Sequence, residues 1–235
     1  MTQLLYGRGI VKSYGKTPAL RGVTVQVGEG EIVAVTGPSG CGKSTLLLCL
    51  AGILRPDAGE IGYRDRRIDG WSEAARARLR RGEFGVLFQF GQLVAEMPAA
   101  ENIALPLLLA GARRREARTA AIAWLERLGI AHLADSRPGE MSGGEQQRTA
   151  LARALVTEPR ILFADEPTGA LDSLAGEQVL DQLVRLAREQ RTTVVLVTHD
   201  ARVAGYADRE IMLRDGALDP SGLGLSGLGL SGVAG

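Results

Sequence analysis

Hydrophobic and polar positions alternate at Val23, Val25 and Val27, the pattern of a half-buried strand. Residues 31–36 are instead a nearly unbroken apolar run stopping at Gly37, which predicts a buried strand. Residues 44–51 predict a helix closed by Gly52. Residues 59–63 and 66–69 read as a hairpin and, with the first strands, predict a partly antiparallel layer beside the core. Another short apolar run covers 84–88. Ala117, Ala121, Trp124, Leu125 and Leu128 recur at helical spacing and predict an amphipathic helix over 113–129. Apolar runs at 160–165 and 193–198 flank a helical stretch at 173–190. Strands alternating with helices predict an α/β fold with a mostly parallel sheet core. The mainly helical stretch between Phe88 and Arg160 predicts an inserted α-helical subdomain, about residues 90–158. These elements make one domain over 1–218. The pentad Ser-Gly-Leu-Gly-Leu then occurs twice from Ser221, so 219–235 reads as a flexible tail, with a short docking tail as the alternative.

The 235 residues suffice for one core with a smaller subdomain. A net charge of +1 supplies no field to attract nucleic acid, and no nucleic-acid partner is expected. The longest apolar runs are far too short to span a bilayer. No charged region followed by an apolar core opens the chain, so no secretory leader is expected and the protein is placed in the cytoplasm. Cys41 and Cys49, on one helix, would stand about 12 Å apart, too far for a disulfide. With His132 and His199 the only histidines, a zinc site is not expected.

Residues 37–44 read Gly-Pro-Ser-Gly-Cys-Gly-Lys-Ser between a strand and a helix. Successive backbone N–H groups and a helix N-terminus converge there on an anion. Gly37, Gly40 and Gly42 allow the tight turn, Lys43 reaches the β- and γ-phosphates, and the Ser44 hydroxyl binds Mg²⁺. Cys41, at a helix start, is expected to be a reactive thiol. The plainer reading is a glycine-rich turn. Asp165 and Glu166 end an apolar strand, where Asp165 would hold Mg²⁺ and Glu166 would polarise a water; solvated acids at a strand end are the alternative. Ser142 and Glu145 fit the Ser-x-x-Glu helix start. Gly143 and Gly144 cost such a helix stability, and they make sense where a phosphate approaches closely.

Together, the phosphate loop and Met141-Ser142-Gly143-Gly144-Glu145-Gln146 resemble the ATP-binding-cassette (ABC) ATPases, over about residues 4–218. The resemblance implies a P-loop NTPase fold. It implies ATP held by Gly37, Pro38, Ser39, Gly40, Cys41, Gly42, Lys43, Ser44 and Thr45, with Tyr14 stacked on adenine. Gln89 matches the Q-loop, as catalytic group and Mg²⁺ ligand beside Ser44 and Asp165. Ser142, Gly143, Gly144 and Glu145 match the signature that covers ATP, and Asp172 closes the D-loop. Glu166 and His199 match the catalytic carboxylate and the switch histidine, with Lys43 beside them. Read alone, Tyr14 is a core aromatic and His199 a helix cap. Met141, Glu145 and Ala170 depart from the usual leucine, glutamine and asparagine. The pattern is similar to the branch serving macrolide export, lipoprotein release and cell-division permeases. It implies an energy-coupling ATPase, peripheral on the cytoplasmic face of the cell membrane. Its expected partners are an integral membrane permease and a second copy or paralogous cassette, paired head to tail. A soluble ABC protein of translation or DNA repair, or a small-molecule P-loop kinase, is the competing expectation.

Overall fold

The computed structural model describes residues 2–219, and the tail reading falls outside these from residue 220 on. In chain order the elements are β1 (Gln3–Tyr14), β2 (Thr17–Gly28), β3 (Ile32–Thr36), α1 (Lys43–Leu50), β4 (Ala58–Tyr63) and β5 (Arg66–Arg67). They continue with α2 (Glu73–Gly82), β6 (Phe84–Leu87), α3 (Ala99–Leu109), α4 (Arg114–Arg127), α5 (Gly143–Leu155) and β7 (Ile161–Asp165). The last are α6 (Ser173–Gln190), β8 (Thr193–Val197), α7 (Ala201–Ala204), β9 (Arg209–Arg214) and β10 (Ala217–Leu218).

Two sheets result. A four-stranded antiparallel sheet has the order β2-β1-β4-β5, and a six-stranded sheet has the order β10-β9-β3-β8-β7-β6. Strands β9, β3, β8, β7 and β6 run parallel, and β10 turns back against β9. The central strands are apolar along most of their length because both of their faces are covered. Along β7, Ile161 and Phe163 pack on the side of α1 and the antiparallel sheet, while Leu162 and Ala164 pack on the side of α3, α5 and α6. Val195 and Val197 against Val194 and Leu196 repeat that division along β8. The side with α3, α4, α5 and α6 is one continuous apolar cluster, so the helical insertion shares its core with one face of the parallel sheet.

Val23, Val25 and Val27 do face inward, but β2 begins six residues before Val23 and pairs with an equally long β1. Helix α2 and strand β9 are additional to the elements read from hydrophobic pattern. Strands β3, β7 and β8 lie side by side and end together, so Gly37, Glu166 and Thr198 leave the sheet at one edge. In open α/β sheets the carboxyl edge is where ligands bind.

Candidate functional site at the carboxyl edge of the parallel sheet

The phosphate loop leaves β3 through Gly37 at φ 138°, where a Cβ would lie 2.1 Å from the Leu213 carbonyl oxygen. Gly42, at φ 104°, enters α1 with its Cα so close to Ala19 that a Cβ would meet that carbonyl oxygen at 2.4 Å. No side chain fits at either place. Between them Pro38, Ser39 and Gly40 form an exposed crest. No side chain caps α1, which leaves its first turn to an anion. Lys43 is buried and bends across its own loop, its Nζ donating to the carbonyls of Gly37 (2.8 Å) and Pro38 (3.0 Å). Thr45 is half-buried behind it. The Cys41 thiol is buried, turned toward Gly37, so the expectation of an accessible reactive thiol is corrected: only the backbone of Cys41 belongs to the loop surface. Both cysteines are free.

Ser44 Oγ donates to Asp165 Oδ1 at 2.9 Å, joining the phosphate loop to the end of β7. Burial pushes the Asp165 carboxyl above the usual aspartate range; the Ser44 hydrogen bond opposes this and the Glu166 charge adds to it. A half-buried carboxylate beside a hydroxyl, next to a loop shaped for phosphate, fits a hard cation. Among the described residues no group of three or more His, Cys, Asp or Glu could hold a metal by itself.

Glu166 turns the chain at φ 45°, a left-handed conformation for a non-glycine residue, with its N–H bound to the Val197 carbonyl at 2.9 Å. His199 Nδ1 lies 3.1 Å from Glu166 Oε1. The reading of His199 as a helix cap is overturned, because Asp200 caps α7 by accepting from Arg202 N at 2.8 Å. A Cβ on Gly169 would lie 2.9 Å from Gln89 Nε2 and 3.1 Å from Glu166 Oε2, so both side chains converge on that glycine. Gln89, Ser44, Asp165, Glu166 and His199 therefore share one edge.

The signature residues make their bonds elsewhere. The Glu145 carboxylate accepts from Ser142 N (2.8 Å) and Ser142 Oγ (2.7 Å), and Glu145 N donates back to Ser142 Oγ at 3.4 Å. The Ser142 hydroxyl and then its backbone N–H hold the Glu145 carboxyl below the usual glutamate range. Gly143 and Gly144 also have a reason within the chain: a Cβ on each would stand 3.3 Å from Leu171 Cδ2 and 3.2 Å from Ala175 Cβ. Asp172 caps α6 by accepting from Ala175 N at 2.9 Å. Tyr14 is 53% exposed at the end of β1, which excludes the core reading and leaves its ring free.

Comparison with known proteins places the chain in a family. The family profile described as ABC transporter matches residues 20–169. The chain is 45% identical to the lipoprotein-releasing system ATP-binding protein LolD 2 of Caulobacter vibrioides, covering 90% of this chain and 95% of that protein. It is 48% identical to the LolD protein of Koribacter versatilis, over 84% of this chain and 88% of that one. Among solved structures it resembles a dimeric ATP-binding cassette in a post-hydrolysis state bound to ADP and Pi, with a TM-score of 0.86 and 36% identity over 92% of this chain and 97% of that one. It also resembles cbiO1 of Clostridium perfringens, part of the ABC transporter complex cbiONQ, with a TM-score of 0.83 and 30% identity over 93% and 88% of the two chains.

Proposed function

The chain belongs to the ABC transporter family as an ATP-hydrolysing subunit, and on that premise we propose that it drives the permease of a lipoprotein-releasing system from the cytoplasmic face of the membrane. The names of the relatives support that assignment, and transport cassettes among them disfavour a soluble role in translation or DNA repair. Among the described residues no helix is long and apolar enough to cross a membrane. In this reading the path for the cargo belongs to an integral membrane partner.

Residues 1–218 form the cassette, with 90–158 as its helical subdomain. Tyr14 offers its exposed ring to adenine. Lys43 exchanges its two loop carbonyls for phosphate oxygens, joined by backbone N–H groups of residues 37–45. Ser44, Asp165 and Gln89 would hold Mg²⁺, which when bound supplies charge neutralisation across the phosphates. Glu166 accepts a proton from the attacking water, and His199 fixes its carboxylate in place. Gln89, which converges with Glu166 on Gly169, positions the water. Two cassettes pair head to tail, so that Ser142, Gly143, Gly144 and Glu145 of one cover ATP on the other, with Asp172 at the seam. The likeness to a dimeric cassette supports this pairing.

The observation that carries the reading is the adjacency of the Ser44–Asp165 and His199–Glu166 contacts at the sheet edge. Glu166→Gln is expected to keep ATP binding while turnover falls roughly 10²–10⁴-fold, the contribution of a general base. Near-normal steady-state hydrolysis would overturn the role given to Glu166. The same variant, trapped with ATP in its native cells, is expected to bring down a membrane permease. Recovery with ribosomes or DNA would instead favour the soluble reading.

A further inference from the structure

Helix α5 grips the segment after β6 at two points. Gln147 Nε2 donates to the Phe88 carbonyl at 3.0 Å. Arg153 donates through Nη2 to the Gly91 carbonyl at 2.6 Å and through Nη1 to the Gln92 carbonyl at 2.8 Å. These contacts bracket Gln89, whose side chain converges with the Glu166 carboxylate on Gly169.

We propose that Arg153 is a positioning residue for ATP hydrolysis: its fork locks the backbone at Gly91 and Gln92 to α5, so that Gln89 moves as one body with the helix that starts at Ser142. The inference rests on the assignment of Gln89 and Glu166 to the reacting centre.

Three observations support it. Burial alone shifts the Arg153 guanidinium below its usual pKa; no neighbouring carboxylate contributes, so the charge is satisfied by carbonyls. Leaving a cation half-buried in this way costs stability that an apolar side chain would not cost. A planar fork presents its donors to two successive carbonyls in a fixed geometry, whereas an ammonium is a point charge on a flexible stem and holds them less rigidly. The gripped backbone is also strained, with Gln92 at φ 48°. Such a conformation persists when its surroundings over-determine it. Packing agrees, since a Cβ on Gly91 would stand 3.2 Å from Ala150 Cβ. The helix is 13 residues long, about 20 Å, and begins with Ser142 as its cap. A displacement at Ser142 is thereby delivered to Gln89 without passing through a flexible joint.

The test uses Arg153→Ala and Arg153→Lys in the full-length chain. Hydrolysis, ATP binding and backbone hydrogen exchange over 88–96 are measured together. For Arg153→Ala, kcat is expected to fall roughly 10²-fold, as a ~1 Å misplacement costs, with the Kd for ATP within about threefold of wild type. Exchange should rise over 88–96 and stay unchanged over 161–165. Arg153→Lys keeps the charge but not the fork, and should fall between the two. Should Arg153→Ala lack a cooperative melt, the lysine variant decides by the same readouts. Wild-type kcat with unchanged exchange over 88–96 overturns the clamp. So does a loss of kcat matched by raised exchange throughout the sheet, which marks general destabilisation. If Glu166→Gln retains turnover, the site assignment fails instead, and the exchange data judge the clamp separately.

Discussion

The sheet edge and the start of α5, the two regions to which the proposed function assigns phosphate, are built oppositely. At the edge, polar groups meet across long stretches of chain: Ser44 and Asp165 are 121 residues apart, His199 and Glu166 are 33 apart. The arrangement is held under strain at Glu166, with a carboxyl at Asp165 that burial pushes up. At α5, Ser142 and Glu145 satisfy each other three residues apart, and the carboxyl is pushed down. One region stores unmet demand for cation and phosphate; the other is content alone. In the proposed function the edge would therefore bind nucleotide as a single chain, whereas the signature would trade internal hydrogen bonds for ligand only on closure.

The largest effect separating the two regions belongs to Lys43. Among the described residues its Nζ bonds to the Gly37 and Pro38 carbonyls, so phosphate is a better partner than those it holds. A hydrogen bond to a charged group is worth ~1.5–3 kcal/mol, so Lys43→Ala should weaken ATP binding roughly 10–100-fold in titration calorimetry on the single cassette. Unchanged affinity would move the phosphate contact away from the edge.

Asp165→Asn is the next test. A raised carboxyl pKa means the folded chain takes up a proton more readily than the unfolded chain. The stability linked to Asp165 is thus present below the unfolded pKa and lost as pH rises through the folded one. At neutral pH the ionised group costs stability while no cation is bound. Asp165→Asn should melt above wild type without Mg²⁺ at neutral pH, and the gap should close in acid. Its Mg²⁺-dependent hydrolysis should fall by at least the ~10–100-fold that losing a metal-site partner costs. A lower melting temperature at neutral pH would mean the carboxylate serves structure first.

Much of this was legible from residue pattern, for a physical reason. Strands β3, β7 and β8 are apolar on both faces, and α4 carries one apolar stripe, so burial wrote their signal directly. Strand β9 hid because only Ile211 and Leu213 of Arg209–Arg214 are buried. In β1, glycines and register shifts break the alternation. Helix α2 is an arginine-rich surface helix with Leu79 its one buried residue. In the site, motif order located the residues but not their contacts. Nothing in spacing says that His199 reaches Glu166 rather than capping α7, or that Arg153 holds carbonyls 61 and 62 residues away. Gly143 and Gly144 also lie close to Leu171 and Ala175, neighbours that their place in the motif does not announce.

Glu145→Gln should give the smallest effect and the sharpest contrast, because its linkage runs opposite to that of Asp165. A depressed carboxyl pKa contributes stability above the unfolded value, lost as pH falls through the folded one. Glutamine preserves the box geometry, so only the charge at the helix start is lost. That charge is worth ~0.3–1 kcal/mol at a helix N-terminus, or about 1–4 °C in melting temperature for a chain this size. The variant should therefore melt slightly lower at neutral pH, and the difference should vanish in acid. In ATP-driven association of Glu166→Gln chains the sign should reverse, since removing a negative charge beside Ser142 favours an incoming phosphate. A gap in melting temperature that persists in acid would assign the effect to packing, and the contrast between the two regions would then rest on Asp165 alone.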